Sequence, residues 1–204
     1  MHISEGVLNT PVLVSGFVLS AMGVGYGLKR IQNEQLPQVA LLSAAFFVAS
    51  LIHVPIGPSS AHLVLNGLVG LILGWAAFPA IFVALLLQSL LFQFGGLTIL
   101  GVNTFAMAAP AVLCGILAKG YLVDTAKGSV AAFAAGFGSI ALSCLLVGAA
   151  LVTAGDQFLP AVQTLVAANF PIMIIEGIIT ASAVGFLKKV KPELLNLTPQ
   201  FSQQ

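Results

Sequence analysis

Charge is what this sequence has least of. Asp, Glu, Lys and Arg make up 6% of its 204 residues, where soluble domains carry about a quarter, so a water-facing surface over a whole domain is excluded. Hydrophobic residues make up 59% and the mean hydropathy is +1.09; the chain reads as an integral membrane protein. Cysteine is nearly absent too. Cys114 and Cys144 both lie inside apolar runs, and each reads as a small hydrophobe. There is no GxxxxGK[ST] phosphate loop, which excludes ATP hydrolysis by that common device, and no HExxH. Net charge is only +1, and no patch interleaves basic with aromatic residues as nucleic-acid binding would ask. A basic start is missing as well: a secretory signal opens on one, but the first basic residue is Lys29, beyond the first apolar segment. The N-terminus is therefore expected to be mature and uncleaved. Because His2 is not the small residue that removal of an initiator Met requires, Met1 is expected to stay and the α-amine to belong to it.

What the sequence does have is apolar length. About 20 apolar residues span a bilayer as a helix, and the pattern predicts helices near 8–28, 37–54, 60–75, 77–94, 104–120, 128–154 and 160–187. The expected fold is all-α, with about seven transmembrane helices in a single domain over 1–190 and a polar, disordered cytoplasmic tail over 191–204. The third and fourth helices are separated only by a short uncharged gap around Ala76, Ala77 and Pro79. Pro160 suggests the start of the last helix and Pro171 a kink in it. Gly16, Gly23 and Gly27, Gly67, Gly70 and Gly74, and Gly136 with Ser143 stand at near-helical spacing and predict close helix packing.

Orientation follows from the 7 basic residues. They fall at Lys29-Arg30, at Lys119 with Lys127, and at Lys188, Lys189 and Lys191, after the first, fifth and last helices. The positive-inside rule makes that side cytoplasmic and puts Met1 outside. His2, His53 and His62 then all come out at the external face, with the uncharged stretch from Gly95 to Asn103. Such Gly-rich backbone is tolerated at membrane depth only where it is buried in protein or lines a cavity.

The tip Met1-His2-Ile3-Ser4-Glu5-Gly6 carries chemistry. The Met1 amine, the His2 amide nitrogen and a His2 ring nitrogen can close adjacent chelate rings round one ion, giving three nitrogens in a rough plane. Planar nitrogen sets suit Ni(II) or Cu(II) rather than Ca²⁺, Mg²⁺ or structural Zn²⁺. A His after the start Met also occurs by chance. His53 and His62 flank a tight Pro/Gly turn, His62 one residue inside a Ser-capped helix start. They can cap helix ends, or His62 can supply the fourth nitrogen that the tip lacks. Glu5 is placed either to accept from a ligating imidazole or to cap helix one. Glu176, mid-helix and inside the bilayer, is a functional candidate by default, expected to hydrogen-bond to the N-terminal segment. Thr98 and Asn103 are expected to order the loop over the site.

Three stretches carry a resemblance: Met1-His2-Ile3-Ser4-Glu5-Gly6, Gly57-Pro58-Ser59-Ser60-Ala61-His62-Leu63, and Gln93-Phe94-Gly95-Gly96-Leu97-Thr98 followed by Gly101-Val102-Asn103-Thr104-Phe105. Together they are similar to the CbiM/NikM family, the substrate-capture membrane components of energy-coupling-factor transporters for cobalt and nickel, and the match extends to Ile175-Glu176-Gly177. The resemblance implies that the N-terminal segment tucks into the helical bundle. It further implies that Ni²⁺ or Co²⁺ is held by the Met1 amine, the His2 amide and imidazole, and His62, with His53 in the surrounding shell. Partners implied are a transmembrane coupling subunit and two cytoplasmic ATP-binding subunits in a prokaryotic inner membrane, with a further small membrane subunit left open. No cofactor beyond the transported ion is implied. Ala106 departs from the family pattern, where a second Asn would follow Asn103. The competing class is an intramembrane metallohydrolase built on a His pair and Glu176; planar four-nitrogen ligation leaves it no open catalytic position. A proton-coupled carrier would need a relay of ionisable residues, and Glu176 stands alone.

Overall fold

The structure, a computed structural model, describes residues 3–51, 53–56 and 59–195, with only the backbone described for 53–56, 59–61, 125 and 126. Among these residues there are seven α-helices: α1 Thr10–Arg30, α2 Leu36–Ala49, α3 Asn66–Leu73, α4 Ala77–Phe92, α5 Leu100–Lys119, α6 Thr125–Thr153 and α7 Leu159–Val190. Between α2 and α3 lies an antiparallel pair of strands, β1 His53–Ile56 and β2 Ser59–His62, in which His53 is the cross-strand partner of His62. By length and composition five segments could cross a membrane: Thr10–Arg30, Asn66–Phe92, Leu100–Lys119, Lys127–Thr153 and Asp156–Val190. Apolar residues such as Phe17, Leu41, Leu117, Val130 and Phe186 lie exposed on the outer faces of the helices, where a bilayer would cover them.

Neighbouring contacts fix the directions of the helices. Asn66 reaches the Met107 carbonyl and Gly70 abuts Ala111, so α3 runs parallel to α5. Gly27 at the end of α1 meets Trp75 and Pro79 at the start of α4, so these two run antiparallel. Ser43 bonds to the Ala80 carbonyl and Gln88 to Ser50, which makes α2 and α4 parallel. Asn66–Phe92 is therefore two helices and not one rod: the chain reverses at Gly74, whose φ of 53° ends α3. Gly74 accordingly serves the turn rather than the packing stripe expected of it. Gly67 and Gly70 do pack as expected, against Gly136 and the Ala111 carbonyl, with no room for a side chain. As a result Lys29, Arg30, Lys119, Lys127, Lys188, Lys189 and Lys191 share one end of the bundle, where Arg30 lies 5.0 Å over the Tyr26 ring and Tyr26 stacks edge-on to Trp75.

Three expectations need correction. Residues 60–65 are not helical: β2 ends at His62 and α3 begins only at Asn66, because the amides that would open a helix there are bonded elsewhere. The loop between α4 and α5 ends at Ile99, so Asn103 lies in the first turn of α5 rather than in a lid. Pro192–Leu195, placed in a disordered tail from the sequence, form a short 3-10 turn that buries Leu195 against Val184 and Leu122, because a leucine there completes that apolar cluster. Residues 196–204 lie outside the described residues.

Candidate metal centre

The N-terminal segment is fastened to α5 at one residue. The Ile3 amide donates to Asn103 Oδ1 at 3.0 Å, and Asn103 Nδ2 donates to the Ile3 carbonyl at 3.2 Å. Ile3 has no exposed surface and packs with Leu8, Ile99, Val102 and Leu165. A side-chain amide suits this place because it offers one donor and one acceptor side by side, matching the two polar groups of one peptide residue. Farther along, the Glu5 amide donates to the Gly95 carbonyl at 3.1 Å and Glu5 Oε1 accepts from the Thr98 amide at 3.0 Å. The bond from Thr98 holds the exposed Glu5 carboxyl below the ordinary carboxylate range. Glu5 does not cap α1, whose N-cap residue is Asn9; instead it ties the segment to the loop before α5, because the turn at Gly6, with φ 80°, separates Glu5 from the helix. Asn9 Nδ2 in turn reaches the Thr153 carbonyl at the end of α6.

His62 is 2% exposed. Its Nδ1 lies 3.1 Å from the Leu63 carbonyl; a carbonyl can only accept, so this contact is a hydrogen bond when Nδ1 carries the proton, and a neutral ring in that tautomer has its lone pair on Nε2. The stretch after His62 is gripped from two sides. Glu176 Oε1 accepts from the amides of Val64 at 2.5 Å and Leu65 at 2.7 Å. Asn66 Nδ2 donates to the Met107 carbonyl and to Ser143 Oγ, both at 3.2 Å. Asn103 and Met107 are one turn apart on one face of α5, so the segment after His2 and the segment after His62 are moored to adjacent turns of the same helix.

Among the residues singled out from sequence, the structure thus gathers Glu5 with Thr98, Asn103 with Ile3, and Glu176 with the stretch after His62. Among the described residues Glu176 bonds to the amides of Val64 and Leu65, because α7 packs on β2 and α3 at that level, and its expected bond to the N-terminal segment is not found at Ile3–Gly6; Met1 and His2 lie outside the described residues. Met1, His2 and the side chain of His53 lie outside the described residues. Cys114 and Cys144 are buried thiols, as expected of small hydrophobes. Ala106 is buried among Ile3, Ile99 and Val102, so the position that departs from the family pattern contributes packing here. Sequence reading missed Asn66, and took Ser143 only for a small packing residue; the sign was there in an Asn interrupting the apolar run from Leu63 to Leu73.

An apolar helical bundle with a pair of strands against its last helix, and with its N-terminal segment pinned against an inner helix, defines a polytopic membrane protein. Residues 2–194 match the family described as the cobalt uptake substrate-specific transmembrane region, CbiM, and the chain belongs to that family. It is similar to a Haemophilus influenzae protein provisionally named a metal transport protein, 43% identical over 99% of this chain and 100% of that protein. It is also 30% identical to the cobalt transport protein CbiM of Sorangium cellulosum, over 96% of this chain and 95% of that one. A crystal structure of a transition metal transporter shares the fold with a TM-score of 0.77, at 24% identity over 97% of this chain and 96% of that chain.

Proposed function

We propose that this chain is the capture subunit of a nickel or cobalt importer, binding Ni²⁺ or Co²⁺ and carrying it across the membrane as cargo. The ligands are the Met1 α-amine, the amide and imidazole nitrogens of His2, and His62 Nε2. The observation that carries this reading is the clamp of Asn103 on Ile3, which holds the residue directly after His2 in a buried site one helical turn from the moorings of the His62 stretch. A chelate counted from the chain terminus needs such a fixed point. The amine and the imidazoles must be unprotonated to bind. All seven Lys and Arg gather at the opposite end of the bundle, which supports a cytoplasmic assignment for that end and an external one for Met1 in a prokaryotic inner membrane. Energy is supplied by other chains, a transmembrane coupling subunit and two cytoplasmic ATP-binding subunits. The chain itself is a carrier and not an enzyme. A planar nitrogen set leans toward nickel, while the relatives are named for both metals.

The test exploits the counting from the terminus. The protein with its native N-terminus is compared with a version carrying one extra residue before Met1, for folded yield and for bound nickel and cobalt. The extended version should fold equally well and lose its metal. Equal metal in both would remove Met1 from the ligand set and end this reading.

A further inference from the structure

We infer that Glu176 is a positioning residue for the metal centre: its carboxylate sets where His62 stands by holding the two backbone amides that follow it, an inference that rests on His62 being a ligand. Glu176 has no exposed surface and sits in the middle of α7, where an ionisable side chain is costly. Pairing with a Lys or Arg side chain does not account for it, since those residues all stand at one end of the bundle. What Glu176 does hold is backbone. The amides of Val64 and Leu65 converge on its Oε1 at 2.5 and 2.7 Å, an arrangement of successive N–H groups that forms a small anion nest. Leu65 adopts φ 61°, a left-handed conformation sparsely populated by leucine, which persists where the surroundings impose it. Here the carboxylate imposes it.

The consequence reaches His62 through very little chain. A single residue, Leu63, at most about 7 Å of backbone, separates His62 from the first held amide. On the far side Asn66 is bonded to the Met107 carbonyl and Ser143, so the backbone from Val64 to Asn66 is fixed at both ends. The ligand set comes from two segments, and Asn103 places one of them. Glu176 places the other, and so sets the span the metal must bridge.

This role needs an acceptor oxygen at one point, not a negative charge, and two conservative variants separate the two. Glu176→Gln keeps a carbonyl oxygen at the same reach. Glu176→Asp keeps the charge but withdraws it by one methylene. With Ni²⁺ alone as the probe, Glu176→Gln should bind like the unaltered protein with the same visible absorption spectrum. Glu176→Asp should lose about tenfold or more in affinity, as supporting groups behind metal ligands commonly do, and its spectrum should shift as the His62 bond to nickel lengthens. The inverse order, with Asp retained and Gln lost, would overturn the inference in favour of charge. Unchanged affinity and spectrum in both, with only the thermal midpoint lowered, would also overturn it, by making Glu176 merely structural. If Glu176→Asp does not fold, the Gln variant decides alone: it must fold, bind and show the native spectrum, or the inference falls. The version extended before Met1 is titrated alongside, and normal nickel binding by that chain would strike the ligand assignment itself rather than the role of Glu176.

Discussion

Replacing Asn103 by alanine cuts both hydrogen bonds that fasten Ile3. The Ile3 amide and carbonyl are then left without partners at a residue that has no exposed surface. A buried polar group stripped of its partner costs about 1–3 kcal/mol, so the pair costs about 2–6 kcal/mol of the free energy that docks the segment. Of the remaining ties, those from Glu5 to Thr98 and from Asn9 to Thr153 are exposed to solvent and hold less firmly, which leaves the bond from the Glu5 amide to the Gly95 carbonyl. At 1.4 kcal/mol per factor of ten, the ratio of docked to undocked segment falls by about 30-fold to 20,000-fold. Apparent affinity falls with the competent fraction, so Asn103→Ala should bind nickel at least about tenfold more weakly once that reserve of docking is spent. Asn103→Asp keeps the acceptor for the Ile3 amide but loses the donor to its carbonyl, and should fall between. The assay is calorimetric titration of Ni²⁺ into detergent-purified protein with a native N-terminus, with helix content checked by circular dichroism. Nickel affinity unchanged in a folded Asn103→Ala protein would refute the clamp as the device that presents the tip.

Two further outcomes follow from packing and from charge. A side chain at Gly70 would collide with the Ala111 carbonyl, whereas one at Gly25 meets nothing within 4 Å; Gly70→Ala should lower the thermal midpoint, by the about 1–3 kcal/mol typical of overpacking, and Gly25→Ala should leave it in place. Equal midpoints would mean that α3 and α5 can move apart freely. The Glu5 carboxyl is held below its ordinary range by the Thr98 amide, so its tie to that loop is fully present above about pH 4.3 and is lost as pH falls through the depressed value. Relative to Glu5→Ala, hydrogen-exchange protection of the Thr98 amide should vanish over that acid range; protection that persists at lower pH would show the bond to be incidental.

Elements that depend on bilayer length were legible in the chain. The segment expected near 8–28 is found at Thr10–Arg30, and that near 160–187 at Leu159–Val190, because a long apolar run has few other structures open to it. The break between α3 and α4 needed Gly74 in a positive-φ conformation, and the same glycine read equally well as part of a packing stripe. The stretch from Ser59 to Leu65 misled for a different reason. Ser59-Ser60-Ala61-His62 looks like a capped helix start, but the amides of Val64 and Leu65 are taken by Glu176, more than a hundred residues away. No local signal announces a partner at that distance, and Leu65 gives no sign of left-handed backbone as a glycine would. Glu5, Thr98, Asn103 and Glu176 were picked out from the sequence, and the structure ties each of them to another segment, but the particular groups they bond to were not legible. Asn103 was assigned to a loop because Gly101 and the glycines before it suggested one, whereas α5 already starts at Leu100.

The short third helix also dictates an order of assembly. Asn66–Leu73 is 8 residues long, about 12 Å of helix against a hydrocarbon core of about 30 Å. It cannot settle across a bilayer by itself, and the strand and turn before it carry peptide groups that lipid cannot satisfy. Its hydrogen-bond partners and the helix it abuts most closely come later from the ribosome: Met107 and Ala111 in α5, Ser143 in α6, and Glu176 in α7. The middle of the chain must therefore wait, shielded or undocked, until its last membrane segment has been made.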